Sequence, residues 1–147
     1  MNDQLARLVD NVSERLNLNE HQVDDDGAYR LEFDKQVLVV IRELDRMNCV
    51  IETDLGPVPQ SLSMASPLLQ KALTLAQLHY KDTKDVICVT PGTSRFRLFR
   101  QLPLLELTPS GLYDNLEQFV NVAAAWRQRL ATTDSPSTPL PSRVILP

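Results

Sequence analysis

Glycine occurs only four times in this 147-residue chain, at the isolated positions Gly27, Gly56, Gly92 and Gly111. No glycine-rich loop is therefore present to cradle a phosphate. Histidine and cysteine occur twice each, as His21, His79, Cys49 and Cys88, and no two of them stand at metal-ligand spacing. A zinc site and a Cys–His dyad are not expected, no serine sits in a nucleophile-elbow pattern, and no cofactor is implied. Aromatic residues make up only 5% of the chain. No apolar run approaches the length of about 18 residues that spans a bilayer, so membrane insertion is not expected. Asp3, Asp10 and Glu14 lie where a signal peptide would be apolar, which predicts a cytoplasmic protein. The absences point away from an enzyme.

Charge is present but unevenly placed. Residues 1–60 carry thirteen acids and six bases, net −7, whereas residues 61–147 carry six acids and nine bases, net +3. The whole chain is at −4, which leaves no overall basic footprint for nucleic acid. Arg95, Arg97 and Arg100 form a small basic strip beside Phe96 and Phe99, read here as a solvent face or a contact for an acidic partner. Asp24-Asp25-Asp26-Gly27 resembles part of a calcium loop, but Gln22 and Phe33 occupy its first and twelfth positions. It reads as an acidic turn entering a strand.

The hydrophobic period assigns the elements. Leu5, Leu8, Val9, Val12 and Leu16 keep helical spacing over residues 2–16, with a stop in the Asn17–Asn19 region. Tyr29, Leu31 and Phe33 alternate with Arg30 and Glu32, which predicts a half-buried strand. Asp34-Lys35 turns into the unbroken apolar run Val37–Ile41, and Cys49, Ile51, Thr53 and Leu55 alternate again. Gly56-Pro57-Val58-Pro59 ends this meander. A second helix begins near Ser61 or Ser66, with Pro67 in its first turn, and runs to Leu78. Two strands follow, Val86–Val89 and Phe96–Phe99, joined through Pro91–Ser94, and Thr108-Pro109 opens a last helix. Residues 132–147, rich in Pro, Ser and Thr, read as a flexible and dispensable tail after a domain spanning 1–131. The expected fold is α+β, in the order α-β-β-β-α-β-β-α, with a twisted, mostly antiparallel sheet packed with helices.

Two surfaces stand out for association. Leu68, Leu69, Ala72, Leu73, Leu75 and Ala76 wrap farther round the second helix than one core requires, which predicts a homodimer through that helix. The first helix and the adjoining sheet edge are expected to form an apolar groove for a client segment. Its candidate contacts are Leu5, Leu8, Val12, Leu16, Leu31, Phe33, Val37 and Val39, about half of which must also fill the core. The acids Asp24, Asp25, Asp26, Glu32 and Asp34 around it favour a basic client stretch.

The order of these segments resembles a known family. Leu16-Asn-Leu18, then Asp24-Asp-Asp-Gly27-Ala-Tyr-Arg-Leu31-Glu-Phe33-Asp34, is similar to the opening of the class I type III secretion chaperones, the family that includes the Tir chaperone. Leu55-Gly-Pro-Val-Pro59 resembles that family's entry to the second helix, with Val58 in place of Leu. Arg100-Gln-Leu-Pro103-Leu, Phe119-Val120 and Ala125-Trp126-Arg127 resemble its closing stretch. Ala76-Gln77-Leu78-His79-Tyr80 departs from the Ala-Asn-Leu-aromatic ending that many relatives show there. The resemblance implies a small acidic cytosolic homodimer without enzymatic activity. Such a protein would bind the extended N-terminal segment of an effector or secreted component and keep it export-competent. Two alternatives stay open: a regulatory partner-switching protein that sequesters a transcriptional activator or antiactivator of the secretion system, and a small ligand-binding or enzymatic domain.

Overall fold

The computed structural model describes residues 3–17, 22–33, 37–79, 84–90 and 92–131. The tail 132–147, His21 and the Asp34-Lys35 turn lie outside the described residues. The elements are α1 (Asp3–Arg15), β1 (Gln22–Val23), β2 (Tyr29–Phe33), β3 (Val37–Glu43), β4 (Asn48–Pro57), α2 (Leu62–His79), β5 (Asp85–Thr90), β6 (Arg95–Pro103) and α3 (Pro109–Ala131). The strands form one sheet in the order β1-β2-β3-β4-β6-β5, and the β1–β2, β2–β3 and β3–β4 pairings are antiparallel. The fold is the α+β arrangement expected, with one addition. The two-residue β1 is too short to show any hydrophobic period and leaves no mark in the sequence pattern.

The chain divides into two compact units, residues 1–53 with 99–120 and residues 54–98 with 121–147. Strands β4 and β6 and helix α3 contribute to both. In unit 1 the α1 stripe Leu5, Leu8, Val9 and Val12 is buried, as are Leu31, Val39, Ile41, Cys49 and Ile51 on alternate strand positions. α1 ends where Asn17 takes a left-handed φ of 53°, a conformation asparagine tolerates better than most residues. Cys49 is fully buried, and burial pushes its thiol up to about 11, which makes it an inert packing group. Cys88 on β5 is only half-buried.

Arg100 corrects the sequence reading of a basic strip. Arg95 and Arg97 share one parity along β6, but Arg100 has the other and joins Phe96, Leu98 and Leu102 on the buried face. It is only 5% exposed. Its Nη1 donates to Asn115 Oδ1 at 3.0 Å and Gln118 Oε1 at 3.4 Å, and its guanidinium lies 6.0 Å from the Phe119 ring centre. A buried cation held this way ties β6 to the second and third turns of α3 and is withdrawn from any surface.

In unit 2, α2 starts at Leu62, one residue after Ser61, whose carbonyl accepts from Met64 N and Ala65 N. Pro67 therefore falls inside the helix and not in its first turn. The bond it cannot donate would have gone to the carbonyl of Ser63, on an exposed stretch where water can take its place. Lys71 Nζ donates to Arg129 O at 2.9 Å, satisfying a carbonyl in the last turn of α3.

Asp54 organises the near end of β6. Its carboxylate takes Arg95 Nη2 at 3.0 Å and Gly56 N at 2.6 Å, and its carbonyl accepts from Arg127 Nε at 3.1 Å. Burial alone would raise the carboxyl pKa, but the Arg95 and Gly56 bonds and the charges of Arg95 and Arg97 outweigh it and hold Asp54 low. A depressed carboxylate stabilises the fold above its ordinary pKa and loses that contribution as pH falls through the folded value. Asp54→Asn is accordingly expected to lower the urea midpoint at pH 7, with the gap to the parent closing below about pH 4. A gap that stays constant from pH 7 to pH 3 would show that the charge of Asp54 contributes nothing.

Candidate functional site

The outer edge of unit 1's sheet is set by a hairpin. Asp24 N donates to Ala28 O at 2.8 Å and Gly27 N to Asp24 O at 2.9 Å, with Gly27 at a φ of 82° that a side chain rarely adopts. Arg30 Nε bonds Asp24 Oδ2 at 2.7 Å across the same turn. This is the acidic turn entering a strand that the sequence suggested. Among the described residues, no group of three or more His, Cys, Asp or Glu side chains is placed to hold a metal ion.

The register decides which main-chain groups face outward. Among the described residues β1 pairs with β2 at Gln22↔Arg30 and Val23↔Tyr29. Because Asp24 and Ala28 form a hydrogen-bonded pair, the alternation turns the N–H and C=O of Ala28, Arg30 and Glu32 toward β1. Those of Tyr29, Leu31 and Phe33 turn toward Ile41, Val39 and Val37 of β3. β1 reaches no farther than Arg30, so among the described residues Glu32 faces outward past its end. An edge position of this kind can pair with an added strand.

The eight residues expected in the groove separate by burial. Leu5, Leu8, Val12, Leu31, Val37 and Val39 are buried within unit 1 itself. Leu16 and Phe33 are half-buried and remain accessible from outside. Exposed Val23, on β1, was not singled out in the sequence because a two-residue strand has no pattern to reveal it. Around the edge stand exposed Asp25, Asp26 and Glu32 and half-buried Asp24, whereas Asp34 lies outside the described residues. Tyr29, on the same strand, answers to a different set of acids. Burial, followed by the charges of Asp10, Asp3 and Glu43, raises its phenol pKa.

The six residues expected at a dimer interface separate in the same manner. Ala72 and Leu75 are buried inside unit 2, Leu68, Leu69 and Ala76 are half-buried, and Leu73 is 70% exposed. Leu62, Leu69, Leu73 and Ala76 follow one another at intervals of seven, four and three residues, which places them on one face of α2. Leu62, also exposed, extends that stripe toward the helix start and was missing from the expected set. β5 ends the sheet order, and its Val86 and Val89 are exposed.

The sequence matches the Tir chaperone protein (CesT) family over residues 7–127. A comparison with curated protein sequences finds no match. Among solved structures, the fold is similar to a chain of the ExsC–ExsE complex, with a TM-score of 0.69 and 20% identity, covering 90% of this chain and 97% of that one. It is similar to a chain of the HopA1–SchA chaperone–effector complex, with a TM-score of 0.65 and 16% identity over 85% of this chain and 94% of that one. A chain of the ExoT–SpcS complex from Pseudomonas aeruginosa matches with a TM-score of 0.63 and 17% identity, covering 84% and 97%. At these identities the likeness is one of fold.

Proposed function

Because the chain belongs to the Tir chaperone protein (CesT) family, a family of chaperones and not of enzymes, we propose that it binds the extended N-terminal segment of a secreted effector and keeps it export-competent in the bacterial cytoplasm. The observation that carries this reading is the family match over residues 7–127, which takes in both the β2 edge and α2. The client's main chain pairs at Glu32, and its apolar side chains rest on Leu16, Val23 and Phe33. The acids Asp24, Asp25, Asp26 and Glu32 favour a basic stretch beside them. Ordering an extended segment opposes binding, so the contact is a long one. The protein works as a homodimer, joined through the stripe of Leu62, Leu69, Leu73 and Ala76 and through edge strand β5. No helix among the described residues is long and apolar enough to cross a membrane.

The test separates folding from capture. Phe33→Asp alters a half-buried side chain at the end of β2, so the variant is expected to stay folded and to lose client capture at least tenfold in co-purification from the native cell. Mass spectrometry of the captured partner then distinguishes an exported effector from a cytosolic regulator of transcription. A folded Phe33→Asp variant that captures the same client as well as the parent would place the client elsewhere.

A further inference from the structure

Charge divides between the folded units more steeply than along the sequence. Unit 1 carries fifteen acids and seven bases, net −8, whereas unit 2 carries four acids and eight bases, net +4. Within unit 1, besides Val23 and Leu38 on the strands, three large apolar side chains on connectors stand in solvent: Leu44 is 55% exposed, Met47 57% and Leu105 62%. Phe33 pairs with Val37 at one end of β3, and Leu44 follows its other end. About 20 Å of strand therefore separates Leu44 from Phe33 and Glu32, the end of β2 at which the client's main chain is proposed to pair, whereas Val23 and the 24–28 turn lie toward the Ile41 end.

Main-chain bonds bring the three together. The 44–48 turn closes with Leu44 N and Asp45 N donating to Asn48 O, at 2.9 and 3.2 Å. Asp45 Oδ1 accepts from Met47 N at 2.7 Å and Asn48 N at 2.8 Å, which fixes the turn from inside. Leu104 N donates to Met47 O at 2.7 Å, joining the residue before Leu105 to this turn. Gln4 Nε2 donates to Leu104 O at 2.8 Å, so the start of α1 belongs to the same assembly. Exposed Asp3, Glu43, Asp45 and Glu106 rim it, with Arg46 as the one base on the turn.

We propose that the β3–β4 turn and the β6–α3 connector form a second docking surface, for a basic amphipathic segment of a protein partner. The apolar face of such a segment packs on Leu44, Met47 and Leu105 while its lysines or arginines lie over Glu43, Glu106 and Asp3. A second copy of this chain fits poorly, because its like unit carries −8 and its +4 unit is the one already assigned to the homodimer contact. The rigid turn keeps the ordering cost on the partner's side. This surface is separate from the β2 edge, and its occupation requires nothing of the client proposed there.

The probe is a synthetic helix of about 18 residues with leucines at i, i+3, i+4 and i+7 and lysines elsewhere, beside a counterpart with glutamates for lysines. Both are titrated into the full-length, isotope-labelled protein and followed by amide chemical shifts. The lysine peptide is expected to shift amides of residues 44–48 and 104–107 and to weaken several-fold between low and moderate salt. The double variant Met47→Ser/Leu105→Ser should weaken it at least tenfold. The charge reversal Glu43→Lys/Glu106→Lys, which leaves the apolar trio in place, should weaken it comparably. Shifts centred on Glu32 and Phe33 or on α2, equal binding of the glutamate peptide, or undiminished binding by either double variant would overturn the proposal. None of these results bears on client capture by Phe33→Asp, so the two readings fail separately.

Discussion

Leu73→Asp is expected to convert the protein from a mass of twice 16.6 kDa to one of 16.6 kDa at micromolar concentration, with its fold intact. Leu73 is exposed on the single chain, so an aspartate there costs the monomer little. In the homodimer the same carboxylate would be buried, unpaired, in an apolar contact. A penalty of about 3 kcal/mol or more raises a dissociation constant more than a hundredfold. Light scattering across a concentration series reads the outcome directly. A parent protein already at the single-chain mass, or a variant that stays dimeric, would remove α2's stripe from the interface.

Leu8→Asp is expected to act on the other level, that of the fold. Leu8 is buried with Leu5, Val9 and Val12 in the core of unit 1. An ionised carboxylate there lacks both water and a partner, at a cost of about 4 kcal/mol or more, against a total stability of about 5–15 kcal/mol for a typical domain. Circular dichroism should show a cooperative transition lowered by tens of degrees or lost at room temperature. Were Leu8→Asp to keep its melting temperature and lose only client capture, the α1 stripe would be groove and not core.

That contrast shows where the sequence was legible. Alternation assigned β4 without ambiguity, because Cys49, Ile51, Thr53 and Leu55 each fall on the buried face. Thr53 is the instructive member: a polar residue keeps the pattern by donating from Oγ1 to Leu38 O at 2.8 Å. The last helix was equally clear, since Leu112, Leu116, Phe119, Ala123 and Trp126 are all buried. Periodicity identifies an apolar face but not what covers it. Leu5, Leu8 and Val12 could face a client or the chain's own sheet, and only the fold shows that they are buried in their own unit. On α2 the same ambiguity gave one broad apolar surface, which the fold divides into buried Ala72 and Leu75 and exposed Leu62 and Leu73.

Arg100 marks a different limit. Three arginines within six residues looked like a surface strip because cationic side chains are rarely buried. Strand parity already set Arg100 apart from Arg95 and Arg97. The amides that make its burial tolerable, Asn115 and Gln118, arrive from a helix 15 to 18 residues farther along the chain. A pairing at that separation has no local signature. The two-residue β1, past whose end Glu32 faces outward among the described residues, was invisible for the opposite reason, being too short to carry a pattern.

The client edge can be tested most directly by amide hydrogen exchange on the free protein and on the co-purified chaperone–client complex. Leu31 directs its N–H toward β3, whereas Glu32, among the described residues, directs its own outward past the end of β1. The Glu32 amide, fast in the free protein, is expected to slow at least tenfold in the complex while Leu31, already slow, hardly changes. Unchanged exchange at Glu32 with protection gained elsewhere would contradict strand addition at this edge.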